Sequence, residues 1–296
     1  MKNFIVKLGN LDRRIIFLLI GLSVLVPLLN PNLINLPLGQ DKNTKIVFDS
    51  ISKLQEGDKV LISFAYGAST KPEVHPMAIA LLNHLFSKKI KVYIVSLWPE
   101  SPIMAQQAIS TVKKSNLFNI EDGIDYVMFD YKVGGFVVIK GIADNFRDLY
   151  KQDYNGNSIE NLNIMEGVYN VKDFDFVFDF SAGVPGNAEW VQYGCDPKGV
   201  PLSSGCTSVM VTDAIPYVES GQLKGILAGM PGAAEYEKMV YDYMLTEQNN
   251  NPNINKVFIS KGKASARMSA QSVAHLLMVI FIIIGNIAYY YERKDN

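Results

Sequence analysis

Side chains able to do chemistry gather at four places in the 296-residue chain, each at the end of a short apolar run. Tyr66, Ser69, Thr70, Lys71, Glu73 and His75 follow residues 60–64 (VLISF), while Trp98 ends residues 91–98 (KVYIVSLW) and Glu100 follows them. Ser181, Gly183, Gly186, Glu189 and Trp190 follow residues 175–180 (DFVFDF), and Asp213 and Tyr217 follow residues 208–212 (SVMVT). Hydroxyls, carboxylates, an imidazole and two indoles suit a pocket for a small polar molecule. Covalent catalysis would also need a serine or cysteine activated by a base. Ser181 with His75 is the pair that could provide it, because His84 falls on an apolar helical stripe and His275 lies in a hydrophobic run. Phe180-Ser181-Ala182-Gly183 is not the G-x-S-x-G elbow, so that motif's mechanical argument does not transfer. The turn from Ser181 to Gly186 could offer backbone N–H groups to an anion. It carries neither the dinucleotide nor the Walker pattern, and the alternative is a tight turn whose glycines supply positive φ. No His, Cys or carboxylate spacing suggests a metal, and no cofactor is expected.

The four places converge only if the apolar runs are parallel strands, since open α/β sheets bind ligands beyond their carboxyl ends. Residues 60–64, 91–98, 125–129, 136–139, 175–180 and 208–212 read as strands, rich in β-branched and aromatic residues. Helical spacing appears around Met77, Leu81 and Leu85, around Ala105, Ile109 and Val112, and around Tyr236, Val240 and Tyr243. Residues 144–163 are polar and read as an insertion or helical excursion. Strand–helix alternation predicts an α/β domain over residues 45–247, with a mostly parallel, Rossmann-like sheet between helix layers. A linker is expected at residues 248–271, on the Asn/Gln/Pro run that opens it.

Composition places this domain at a membrane. Hydrophobic residues make up 48 % and charged residues 19 % of the chain, below the charge fraction of ordinary soluble proteins. A net charge of −1 without a basic stripe argues against nucleic-acid binding. Val273 to Tyr291 is free of Asp, Glu, Lys and Arg and ends in three tyrosines. About 20 such residues span a bilayer, and aromatic residues mark its interface. A transmembrane helix is therefore expected over residues 272–291, followed by a short tail, 292–296. At the other end, a basic tail (1–14) precedes the uncharged run Ile15–Leu29, read as an uncleaved signal-anchor whose apolar length extends to residue 38; a cleaved signal peptide is the alternative. Lys256, Lys261, Lys263 and Arg267 ahead of the last helix bias the orientation one way and four basic residues ahead of this first helix the other; the first helix is taken to dominate, with both termini in the cytoplasm and the domain outside. There, Cys195 and Cys206 could form a disulfide; two unpaired buried thiols are the alternative.

Gly221, Gly225, Gly229 and Gly232 recur at intervals of four, four and three. On a helix they would line one face and admit another backbone; the alternative is a loop-to-helix segment closing the sheet edge. Asn286 inside the last run could bind a second membrane helix through its amide. Residues 220–237 (SGQLKGILAGMPGAAEYE) and 263–291 (KASARMSAQSVAHLLMVIFIIIGNIAYYY) resemble a family of bacterial two-span membrane proteins. That resemblance implies a hydrophobic N-terminal helix, an α/β middle and a C-terminal anchor in the cytoplasmic membrane, and carries no reaction or catalytic residue. The leading expectation is a non-catalytic assembly component that contacts the bilayer and either itself or another membrane protein. The alternatives are a tethered small-ligand binder or hydrolase-like enzyme working at the strand-end loops, and an oligomeric transport component.

Overall fold

The structure, a computed structural model, describes residues 12–30, 39, 41–250 and 263–295. The chain forms two compact units, Leu38–Ala264 and Met1–Pro37 with Ser265–Asn296. The larger is an α/β domain built on six strands: β1 (Lys59–Ala65), β2 (Lys91–Ser96), β3 (Tyr126–Met128), β4 (Phe176–Ser181), β5 (Leu202–Cys206) and β6 (Leu223–Ala228). All pairings are parallel, in the order β3-β2-β1-β4-β5-β6. The order reverses between β1 and β4, which makes that pair the topological switch point of a doubly wound sheet. Parallel strands are covered on both faces, and so β1, β2 and β4 are mainly apolar and buried almost end to end.

In the smaller unit α1 (Arg13–Leu29) has 17 residues, fewer than about 20 needed to span hydrocarbon. The C-terminal helix, numbered α8 below, contains Ala264–Tyr291, the helical stretch among the described residues that is long and apolar enough to cross a membrane. Around the domain pack α2 (Lys42–Ser52), α3 (Lys71–Ser87), α4 (Ser101–Lys114), α5 (Phe136–Asp144), α6 (Val211–Glu219) and α7 (Gly229–Asn250). Asp41 caps α2 by accepting from Thr44 N at 3.0 Å. His84 is a core residue, as its helical position predicts: stacked on Phe48, it bonds Tyr236 Oη at 2.9 Å.

Four sequence readings are corrected. Residues 136–139 begin α5 rather than a strand. Gly134 and Gly135 turn the chain with φ of 143° and 57°, and Val138, Ile139, Ile142 and Ala143 then bury one helical face. The strand expected at residues 208–212 lies earlier, at β5, where LSSGC is fully buried. Its small residues are required by packing: a Cβ on Gly205 would lie 3.0 Å from Met77 Sδ and from the Phe180 ring. Helix also replaces part of the linker at residues 248–271, because α7 runs to Asn250 and α8 (Lys263–Asp295) starts at 263; residues 251–262 lie outside the described residues, as do 1–11 of the basic tail and 31–38 of the membrane-surface segment. Cys195 and Cys206 are both free and buried.

The fourth correction concerns the glycines, which do not share a helical face. Gly221 makes the turn before β6 with φ of 78°, Gly225 sits within β6, and Gly229 opens α7 with φ of 57°. Each of the last three is held by a close approach inside the domain. A Cβ on Gly225 would lie 2.7 Å from Asn43 O where α2 packs on β6, one on Gly229 would meet Ser208 and Glu73, and one on Gly232 would meet the Leu227 backbone. Gly225→Ala should therefore destabilise the domain by about 1–3 kcal/mol through overpacking while leaving its native mass unchanged. Thermal unfolding with mass measurement in the same detergent checks this; a change of mass without loss of stability would restore the interaction role.

Candidate functional site

The carboxyl ends of β1, β2, β4 and β5 bring their loops together, as the strand order requires. Trp98 Nε1, after β2, donates to Val184 O in the β4 loop at 3.1 Å. A Cβ on Gly183 would sit 3.0 Å from the same indole, so glycine lets the ring approach this loop closely. Ser101 Oγ, opening α4, donates to Tyr66 O at 3.1 Å and ties the β1 and β2 loops. Lys71 Nζ donates to Gln107 Oε1 on α4. Ser69 and Asp213 are exposed nearby, Asp213 in the first turn of α6.

Three glutamates hold these loops by their backbone. Glu100 Oε2 accepts from Ala68 N, Glu73 Oε1 from Ser208 N, and Glu189 Oε2 from Gly186 N, each at 2.7 Å. Glu73 also accepts from Ser208 Oγ at 2.6 Å. In a phosphate-binding fold of this topology the loop N–H groups after the first strands face the anion. Here Glu189 occupies the Gly186 N–H of the Ser181–Gly186 turn, and its charge disfavours an anionic ligand there.

The candidate pair Ser181 and His75 is not brought together. Side chains alternate along a strand, and Ser181, paired with Ala65 and Cys206, faces the layer formed by α5 and the segment after β4. His75 belongs to α3 on the other face, where its Nδ1 is 2.8 Å from Tyr66 Oη in a buried contact. Burial raises the Tyr66 phenol well above its ordinary range.

Beneath the loops lies a group of residues of which sequence reasoning named Ser181 and Trp190 but missed Asp179, Ser63, Ser204 and Asn187. Asp179, near the end of β4, is fully buried; it pairs in register with Ser63 of β1 on one side and Ser204 of β5 on the other. Ser181 stands two residues on, at the same face. The face is closed by Asn187 and by the π-helical turn Trp190–Cys195, whose indole is 0 % exposed. A Cβ on Gly194 would meet the Trp190 ring at 2.6 Å, so this turn fits only with glycine there. Ser63 Oγ, both Asp179 oxygens, Ser181 Oγ, Ser204 Oγ, the Asn187 amide and Trp190 Nε1 are all buried without a hydrogen bond of ordinary geometry. Buried polar groups are nearly always partnered, so this concentration at one place marks the site. Burial pushes the Asp179 carboxyl from 3.8 to about 7, with the Glu189 charge assisting; the hydroxyls of Ser63, Ser181 and Ser204 oppose the shift without cancelling it. Burial and the Asp179 charge also push the Cys206 thiol up to about 12 and the Cys195 thiol higher, so neither is a thiolate nucleophile near neutral pH.

Among the described residues no group of three or more His, Cys, Asp or Glu is placed to hold a metal ion. A separate cleft of about 420 Å³ lies at the β3 edge. Its charges are engaged internally, with Lys113 5.0 Å over the Tyr126 ring and Asp122 accepting from Asn155 at 2.6 Å. In comparisons with known proteins, no family model, no curated protein and no solved structure matches this chain.

The buried carboxyl carries a pH signature. Because the folded-state pKa of Asp179 is raised, its protonated form supports the fold below about pH 4, and that support is lost as pH rises to about 7. At about 1.4 kcal/mol per pKa unit the loss amounts to about 4 kcal/mol. His84 opposes it: burial, and then the Lys88 charge, lower its pKa to about 3, so its contribution is present above about pH 6.5 and fades as pH falls. Asp179→Asn should thus leave a stability that climbs with pH between about 4 and 7, and should exceed the parent's stability most at about pH 8. Urea unfolding at the two ends of this range checks it; an equal difference at both ends would show that Asp179 does not titrate there.

Proposed function

We propose that the domain is a membrane-tethered receptor for a small polar ligand, neutral or cationic, bound at the β1/β4 switch point. One observation carries the reading: the buried polar cluster around Asp179, whose atoms make no hydrogen bond of ordinary geometry, lies directly under the strand-end loops. A ligand supplying donors to Asp179 and an acceptor to Trp190 Nε1 would complete hydrogen bonding that the surrounding serines meet only in part; a buried polar group left wholly unmet costs about 1–3 kcal/mol. Glu73, Glu100 and Glu189 ring the approach with carboxylates and disfavour anions. Trp98, lying on Gly183, supplies an apolar wall. The assembly reading drew on the glycines of residues 220–237, and the internal contacts of Gly225, Gly229 and Gly232 leave it the weaker of the two.

The tethering also belongs to this proposal. α8 crosses the cytoplasmic membrane of a bacterium, and the N-terminal hydrophobic segment that contains α1 forms a second span. Both termini lie in the cytoplasm and the domain outside. Supporting this are the four basic residues ahead of Ile15, the apolar length of α8 and the resemblance to two-span bacterial membrane proteins.

Native mass spectrometry of the detergent-extracted protein tests the reading, with added short amines, polyols and monovalent cations as probes. One probe class, or a molecule retained from the cell, should bind the parent and be lost in Asp179→Asn and Ser181→Ala. Ligand-free spectra throughout, combined with a defined homo-oligomer, would return the assembly reading to first place.

A further inference from the structure

The Asp179 cluster is sealed from solvent. Ser63, Asp179, Ser181, Asn187, Trp190 and Ser204 are each 0 % exposed, so anything that binds there must first displace part of its cover. The sheet cannot yield without losing the ladder bonds on both sides of β4. The π-helical turn is a core element: Trp190, Val191 and Cys195 are buried in the apolar layer that also holds α5, and a Cβ on Gly194 would lie 3.1 Å from Ile139. That leaves the strap of residues 182–188, AGVPGNA, which joins β4 to the π-helical turn.

The strap folds back over the cluster and is lightly held. A Cβ on Gly186 would lie 2.8 Å from Ser181 Cβ and 2.9 Å from its Oγ. Small residues dominate it, and Val184 at its crown is 74 % exposed, so it buries little apolar surface. The Asn187 amide beneath it makes no hydrogen bond of ordinary geometry. Among the described residues two hydrogen bonds tie the strap to other segments. One, from Ala182 N to Ala65 O at 3.0 Å, continues the ladder of β4 and β1 and so marks a hinge. The other is the bond from Trp98 Nε1 to Val184 O. Gly186 N bonds Glu189, and Trp190 N bonds Gly186 O, within the strap's own turn. The indole, by contrast, stands on a firm base: Leu97 N donates to Phe64 O at 2.8 Å and Trp98 O accepts from Ser101 N at 3.0 Å.

We propose that residues 182–188 are a lid over the Asp179 site, hinged after Ser181 and latched by the Trp98 indole, whose release opens the site to small solutes. Opening breaks one hydrogen bond to a neighbouring loop and leaves the core packed, which places it among local openings that need no unfolding of the domain. What passes beneath the lid rests on the receptor reading above; the opening itself can be measured without a ligand.

The test is hydrogen–deuterium exchange of the full chain in detergent, read by mass spectrometry on peptides covering residues 183–190 and, as a control, α5. Trp98→Phe keeps an aromatic ring and removes the donor. Exchange at residues 183–190 should quicken about 2- to 10-fold, the factor that one hydrogen bond supplies, while α5 is unchanged. Gly183→Ala, whose Cβ would crowd the indole at 3.0 Å, should act in the same direction. Equal exchange in the parent and Trp98→Phe overturns the proposal. So does quickening that extends equally to α5, which would mean that Trp98 holds the whole domain and not a lid. A lid that quickens as expected, over a site that retains none of the amines, polyols or cations used as probes, would support the latch and defeat the receptor reading, so the two failures are distinct.

Discussion

A carboxyl at the centre of a parallel sheet has to be stabilised by something other than water, and Asp179 sets that requirement here. Its neighbours in register are serines on both flanking strands, at positions where the surrounding sheet carries large aliphatic and aromatic side chains. Those hydroxyls make the strand β5 small and polar. The loss of volume is then filled from above by Trp190, which in turn needs Gly194 and an extra-wide helical turn to lie over the cluster. The π-turn, the serine-rich strand and the glycine are thus successive consequences of one buried ionisable group, held near neutrality by desolvation.

The loops above this cluster are fixed by a different rule. Backbone N–H groups at strand ends need acceptors, and three glutamates from three separate segments provide them. Charge-assisted bonds of this kind are among the stronger ones available to a loop. Their use explains why the switch point of a Rossmann-like sheet can exist here without the glycine-rich phosphate loop that usually accompanies it.

How far the sequence discloses this depends on the period of each segment. The apolar runs of β1, β2 and β4 stand out because a strand buried on both faces has no polar alternation to dilute it. The gathering of Trp98, Glu100, Ser181, Gly183 and Gly186 follows once those runs are taken as parallel. β5 escapes because LSSGC has the composition of a loop, and its burial is dictated by Phe180 and Met77, which are distant in sequence. β6 escapes for a related reason: Gly225 weakens its strand signal, and the need for that glycine lies in α2. Asp179 itself was readable in principle, since an acid between Phe178 and Phe180 in a run this apolar is costly. Its partners Ser63 and Ser204 become visible only with the strand order. Residues 136–139 show the opposite limit, a β-type composition overruled by two glycines that turn the chain into a helix.

The hold of α7 on both ends of the domain has a consequence for how such a chain can change over time. Asp41 and Ala264 are bonded two residues apart on one helix, so the whole α/β body is an excursion that departs from and returns to nearly the same point. As long as α7 is kept, loops elsewhere in such a body can be lengthened or trimmed without moving the two points at which its ends are held. The seam therefore constrains the two glutamates, Glu235 and Glu237, while positions 41 and 264 supply to it only backbone N–H groups, a part that any residue but proline can fill.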